Sequence, residues 1–97
     1  MPGKLTYFDL GGRAEGIRSM LHHAGHQYED CRKSFPEWAT YKAETPMGSM
    51  PLWEEDGFTT VSSSAILRVL GVRLGYYSDN HLTAYKIDSI VEYIESM

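Results

Sequence analysis

The sequence predicts an α/β protein with a mixed four-stranded sheet and helices on both faces, in the order β-α-β-α-β-β-α followed by one more helix. Three observations predict it. A short alternating segment, Lys4 to Phe8, is followed by a helical pattern and a second strand candidate, a βαβ unit that implies two parallel strands. Asp56-Gly57 separates two apolar runs and supplies the positive φ of a two-residue hairpin, which implies an antiparallel pair. The run Ser62-Ser63-Ser64 directly precedes Ala65-Ile66-Leu67 and offers hydroxyls to the amides of a helix start.

In the first strand, Leu5 and Tyr7 share one side. Gly11-Gly12 breaks it, and a helix begins at Arg13-Ala14-Glu15. Ile17, Met20, Leu21 and Ala24 recur at helical spacing as its inner stripe, and Gly25 stops it. Gln27 to Arg32 is a weaker strand, since neither of its faces is wholly apolar. An irregular helix from Phe35 to Glu44 opens at Pro36. Pro51, with no N–H to donate, opens the strand Leu52 to Glu55, and Phe58 to Val61 pairs with it across the Asp-Gly turn. Ala65, Ile66, Val69 and Leu70 line the helix that follows, which ends at Gly71 or Gly75. The arrangement is that of the thioredoxin fold.

The C-terminal segment differs. After the polar stretch Tyr76 to Asn80, Leu82, Tyr85, Ile87, Ile90, Val91 and Ile94 trace an amphipathic helix that reaches Met97 without a stop signal. Either the chain is a piece of a longer one or the helix pairs with another copy; the first is the preferred expectation. The expected organisation is a domain over residues 1–76, a linker over 77–81, and over 82–97 the first helix of a truncated all-α domain.

Composition narrows the function classes. At 97 residues, with 42% of them hydrophobic, the chain is of a size and kind that forms one ordinary globular core. A net charge of −4 offers no general attraction to nucleic acid or an anionic membrane. No apolar run approaches the roughly 20 residues of a bilayer span, and no signal-peptide pattern opens the chain, so a cytoplasmic location is expected. Cys31 is the single cysteine and has no CxxC partner, which disfavours a thioredoxin-like redox protein. His22, His23 and His26 lack helical zinc spacing and read as a solvated helix end; no metal is expected.

Several side chains have two readings. The Tyr7 hydroxyl, at a strand end before a glycine turn, suits hydrogen bonding to an anionic ligand atom or plain solvation. Arg13 opposes the macrodipole at a helix start, so it serves a ligand or is solvated. Trp38 and Lys42, at i and i+4, offer an indole N–H and an ammonium to one carboxylate, or the indole packs in the core. Each serine from Ser62 to Ser64 is most simply an N-cap. On frequency alone Met50-Pro51 is trans, since only about 5–6% of such bonds in folded proteins are cis.

The order of these segments is more specific than any one of them. The run from Leu5 through Arg18, then Trp38 through Lys42, Gly48-Ser49-Met50-Pro51-Leu52 and Ser63-Ser64-Ala65-Ile66-Leu67-Arg68 together resemble the N-terminal, thioredoxin-like domain of cytosolic glutathione transferases. The closest likeness is to the sigma class, related to S-crystallins and haematopoietic prostaglandin D synthase. The resemblance implies that Tyr7 donates its hydroxyl to the glutathione sulfur and stabilises the thiolate that attacks an electrophile. It further implies that Arg13 supports that site, that Trp38 and Lys42 hold the glycine carboxylate, and that Met50 and a cis Pro51 pair with the cysteinyl backbone. Ser63 would bind the γ-glutamyl carboxylate at the helix start. Glutathione is then the co-substrate, and a homodimer and a small electrophile are the implied partners.

The departures count too. Ser62 stands where the family usually has a glutamine, so a longer glutathione contact is replaced by a shorter one. Ser49 replaces a common lysine, and Met47 an aromatic that wedges into the partner subunit. Family members add an all-helical domain that forms most of the electrophile site, so 97 residues alone need not carry activity. The alternative is a non-enzymatic, S-crystallin-like binding or structural protein on the same scaffold.

Overall fold

The computed structural model of the chain describes residues 3–96. Strand β1 (Lys4–Phe8) lies between β2 (Glu29–Lys33) and β3 (Leu52–Glu55), and β4 (Phe58–Val61) completes the order β2-β1-β3-β4. β1 and β2 are parallel, whereas β3 runs antiparallel to β1 and to β4. The helices are α1 (Glu15–His23), α2 (Phe35–Tyr41), α3 (Ser63–Leu74) and α4 (His81–Glu95). Through α3 this is the thioredoxin-like, mixed four-stranded arrangement expected from the sequence.

Alternation along β1 sends Leu5 and Tyr7 to one face, where they join Trp53 of β3, Ile17 and Leu21 of α1, and Ile66 and Leu70 of α3 in one buried cluster. Burying each such side chain contributes about 1.5–3 kcal/mol. Phe8, the next residue, meets Phe35 and Trp38 of α2, with ring centroids 4.8 and 6.1 Å apart. The end of β1 is thereby gripped by α1 and α2, which matters for the site. At the hairpin, Asp56 and Gly57 take φ of 50° and 77°, the left-handed pair that an Asp-Gly turn was expected to supply.

Several expectations need correction. The second strand is Glu29–Lys33 rather than Gln27 to Arg32; it lies at the edge of the sheet with every side chain exposed or half-buried, which accounts for its weak pattern. Ala24 is exposed at the C-cap of α1 and leaves the predicted stripe. The irregular helix resolves into α2 and a 3-10 turn at Lys42–Glu44, and α2 starts from a capping box between Ser34 and Glu37. No serine side chain caps α3: Ser62 precedes it with φ 75°, and its carbonyl, not its hydroxyl, is engaged, accepting Ile66 N–H at 2.9 Å. The helix runs through buried Gly71 and stops at Gly75, φ 84°. The Met50-Pro51 bond is cis, against the reading from frequency alone and in line with the family resemblance.

Asn80 sets the start of α4, its side chain accepting the N–H groups of Leu82 and Thr83 at 3.0 and 3.1 Å. Asp88 ties the helix to the domain, accepting the Tyr77 hydroxyl at 2.8 Å and pairing with Arg68 at 3.2 Å. Ile87 and Val91 are half-buried, but Leu82, Tyr85, Ile90 and Ile94 are exposed, so the apolar pattern of α4 is only partly used. Met97 lies outside the described residues.

Candidate functional site

The chain turns sharply after β1, and the turn is built around Tyr7. Gly12 adopts φ +47°, and a Cβ there would lie 2.6 Å from the Tyr7 hydroxyl oxygen. Only glycine permits that approach. The backbone N–H of Arg13 then reaches the same oxygen at 3.2 Å and donates to it. With the oxygen accepting from the backbone, the hydroxyl still has its own proton to donate. The phenol ring itself is held in the core, only 9% exposed.

Two further side chains of the predicted set converge from distant elements. Ser63, at the first position of α3, is 4% exposed and donates its hydroxyl to the carboxylate of Glu95. The Arg13 guanidinium donates to the same carboxylate oxygen at 2.5 Å and to the Glu95 carbonyl at 3.0 Å. Ser62, immediately before, sits at positive φ, a conformation that costs a non-glycine residue of order 1–3 kcal/mol and clusters at functional positions. A carboxylate is thus bound at the N-terminus of a 12-residue helix, where hydroxyl, guanidinium and macrodipole all favour negative charge.

Trp38 is half-buried between Phe8 and Tyr41, while Lys42 is exposed, so the pair offers one packed indole and one solvated ammonium. Met50 is half-buried against the core, and Pro51 is buried. An apolar cavity of about 90 Å³ between α1, α3 and α4, lined by Met20, Leu67, Tyr77 and Val91, includes neither Tyr7 nor Ser63 and reads as a packing gap. Among the described residues no cluster of three potential metal ligands occurs, and no helix is long and apolar enough to cross a membrane.

Residues 3–71 match the model of the family described as glutathione S-transferase, N-terminal domain. The chain belongs to that family. It is 40% identical over 92% of its length to glutathione S-transferase 1 of Ascaris suum, of which it covers 43%. It is 37% identical over 91% of its length to S-crystallin SL20-1 of Nototodarus sloanii, covering 40% of that protein. The fold superposes on a Nu-class glutathione S-transferase structure from Haemonchus contortus with a TM-score of 0.89 at 38% identity, covering 97% of this chain and 46% of that one. The chain therefore spans less than half the length of these relatives.

Two residues at the site of this glutathione S-transferase domain escaped the sequence reading. Glu95 left one signal: a carboxylate in the last turn of a helix opposes the macrodipole and invites a search for a cation. Arg18 left another, since Ala14, Ile17, Arg18 and Leu21 share one helical face and are all buried. Arg18 donates to the carbonyls of Leu10 and Phe8 at 2.6 and 3.1 Å and pairs with Asp30 at 3.3 Å. Nearby, Asp9 and then Asp30 hydrogen-bond the Arg32 guanidinium and raise its pKa above the ordinary arginine value.

Proposed function

We propose that this chain is the glutathione-binding part of a glutathione transferase, with Tyr7 donating its hydroxyl to the glutathione sulfur. The thiol proton leaves, the hydrogen-bonded thiolate attacks an electrophilic carbon, and a carbon–sulfur bond forms as the leaving group departs or, in an addition, as the adduct takes up a proton. In this reading Arg13 orders the site through its amide, and Trp38 and Lys42 hold the glycine carboxylate. The backbone of Met50, beside Pro51, pairs with the cysteinyl unit, and Ser62 and Ser63 receive the γ-glutamyl end. The chain up to residue 76 forms the glutathione domain, and α4 (His81–Glu95), rather than a helix from 82, begins a second domain after a short linker. In the same reading the protein is cytoplasmic and sigma-like.

The observation that supports this most directly is the convergence of Ser63 and Arg13 on one carboxylate oxygen at the start of α3. The donors are arranged for an anion, and Glu95 supplies one from within the chain. A glutathione carboxylate would take over the Ser63 hydroxyl from Glu95, one charge-assisted bond replacing another.

A second reading is a non-enzymatic protein on the same scaffold, favoured by the S-crystallin among the relatives and by Ser62 and Ser49 in place of longer polar side chains. Titration of the chain with glutathione, followed by calorimetry and by tryptophan fluorescence, separates the two. Saturable binding that is weakened by Ser63→Ala upholds the glutathione site. A folded chain that does not bind overturns it and leaves the structural reading.

A further inference from the structure

We infer that Arg18 is a positioning residue for Tyr7, clamping the turn that delivers the Arg13 amide to the Tyr7 hydroxyl. The proposal rests on the reading of Tyr7 as the sulfur ligand and adds the device that fixes its geometry.

Three contacts of one guanidinium carry it. Arg18 projects from α1 with only 8% exposure, a degree of burial that arginine tolerates only when it is well paired. Nη1 donates to the Leu10 carbonyl and Nη2 to the Phe8 carbonyl, the two ends of the segment in which the chain leaves β1. Nε donates to Asp30 on the neighbouring strand β2. The planar fork therefore ties α1, the end of β1, the glycine turn and β2 to one rigid group.

The same guanidinium carbon lies 5.9 Å from the centroid of the Tyr7 ring, within the range of a cation–π contact. So Arg18 touches Tyr7 twice: directly across the ring, and indirectly through the turn. The indirect route is the consequential one. Arg13 lies only a few residues beyond Leu10, and its N–H meets the Tyr7 oxygen at 3.2 Å, near the long end of a normal bond, where a small shift of the turn would lose it. Loss of that donor leaves the Tyr7 hydroxyl without a fixed partner, so its orientation toward a bound thiolate is no longer held. Lysine cannot reproduce the clamp, because an ammonium on a flexible stem does not hold two carbonyls and a carboxylate in one plane.

The test compares the chain with its Arg18→Lys variant, after circular dichroism has confirmed that both are folded. The first readout needs no ligand: the ring Cζ resonance of Tyr7 in isotope-labelled protein, assigned by its loss in Tyr7→Phe. The second is the ultraviolet absorbance of bound glutathione thiolate against pH. The expected result is a displaced Tyr7 resonance and a bound-thiol pKa raised by about one unit, a tenfold change in the proton equilibrium, with glutathione affinity altered less than about threefold. The double variant Tyr7→Phe with Arg18→Lys shows no shift beyond that of Tyr7→Phe, because Arg18 acts through the tyrosine.

A folded Arg18→Lys with the parent's Tyr7 resonance and thiol titration overturns the proposal. Should Arg18→Lys not fold, Asp30→Leu decides: it keeps the arginine, removes the acceptor of one arm of the clamp, and is expected to move both readouts in the same direction by less; silence there overturns the proposal equally. If Tyr7→Phe leaves the thiol titration unchanged, the sulfur-ligand reading fails, while a Tyr7 resonance displaced in Arg18→Lys still upholds the clamp.

Discussion

The hydroxyl oxygen of Tyr7 accepts the backbone N–H of Arg13 across the turn that ends β1. An oxygen that already accepts one bond has its own proton available, so the Tyr7 hydroxyl can donate to a ligand. Tyr7→Phe is expected to leave glutathione affinity nearly intact while raising the pKa of the bound thiol, read from its thiolate absorbance. An unchanged titration would remove Tyr7 from the catalytic role.

Gly12 makes that bond possible. In Gly12→Ala the new methyl group would meet the Tyr7 hydroxyl, and the left-handed φ alone costs an alanine about 1–2 kcal/mol. With the clash included, a loss of about 2 kcal/mol is expected, a fall of roughly 10 °C in thermal midpoint for a domain of this size. Thermal unfolding checks it; a midpoint equal to the parent's would show that the turn relaxes freely.

Ser63 is engaged by Glu95 in the free chain, so a ligand carboxylate replaces an existing partner. Ser63→Ala should weaken glutathione binding by roughly 1–3 kcal/mol, toward the lower end because the Glu95 contact is lost as well. Calorimetric titration measures this, and an affinity within error of the parent would count against the assignment.

The capping box of α2 predicts a pH effect. The Ser34 backbone N–H, donating to the Glu37 carboxylate at 2.8 Å, and then the Ser34 side chain lower the Glu37 pKa below its ordinary value of 4.5. The folded state therefore favours the ionised form. Its contribution to stability is present above pH 4.5 and is lost as pH falls through the lowered folded-state value. Glu37→Gln should keep a hydrogen bond to the Ser34 backbone yet lose this share of the acid dependence. Thermal midpoints measured down the acid limb should fall less steeply in the variant; parallel curves would exclude Glu37 as a contributor.

Most of the scaffold was legible from local pattern. Alternation over Lys4 to Phe8, the Asp56-Gly57 pair and the glycine stops are read within a few residues, and the physics behind them acts over the same range. The weak pattern of Glu29–Lys33 left its boundary hard to read, because this strand buries none of its side chains fully.

What the sequence determined by itself was the order of elements and the family, and it singled out Tyr7, Arg13, Pro51 and Ser63 as candidate site residues. Only the tertiary structure decided what those residues touch. Glu95 reaches Ser63 across 32 positions and Arg13 across 82, and Arg18 closes on carbonyls that belong to another element. Nor did the serine run disclose that Ser62 would turn to positive φ instead of capping α3. The reason is physical: propensity and periodicity act between neighbours along the chain, whereas the partner of a buried charge is set by where α1, α3 and α4 come to rest against the sheet.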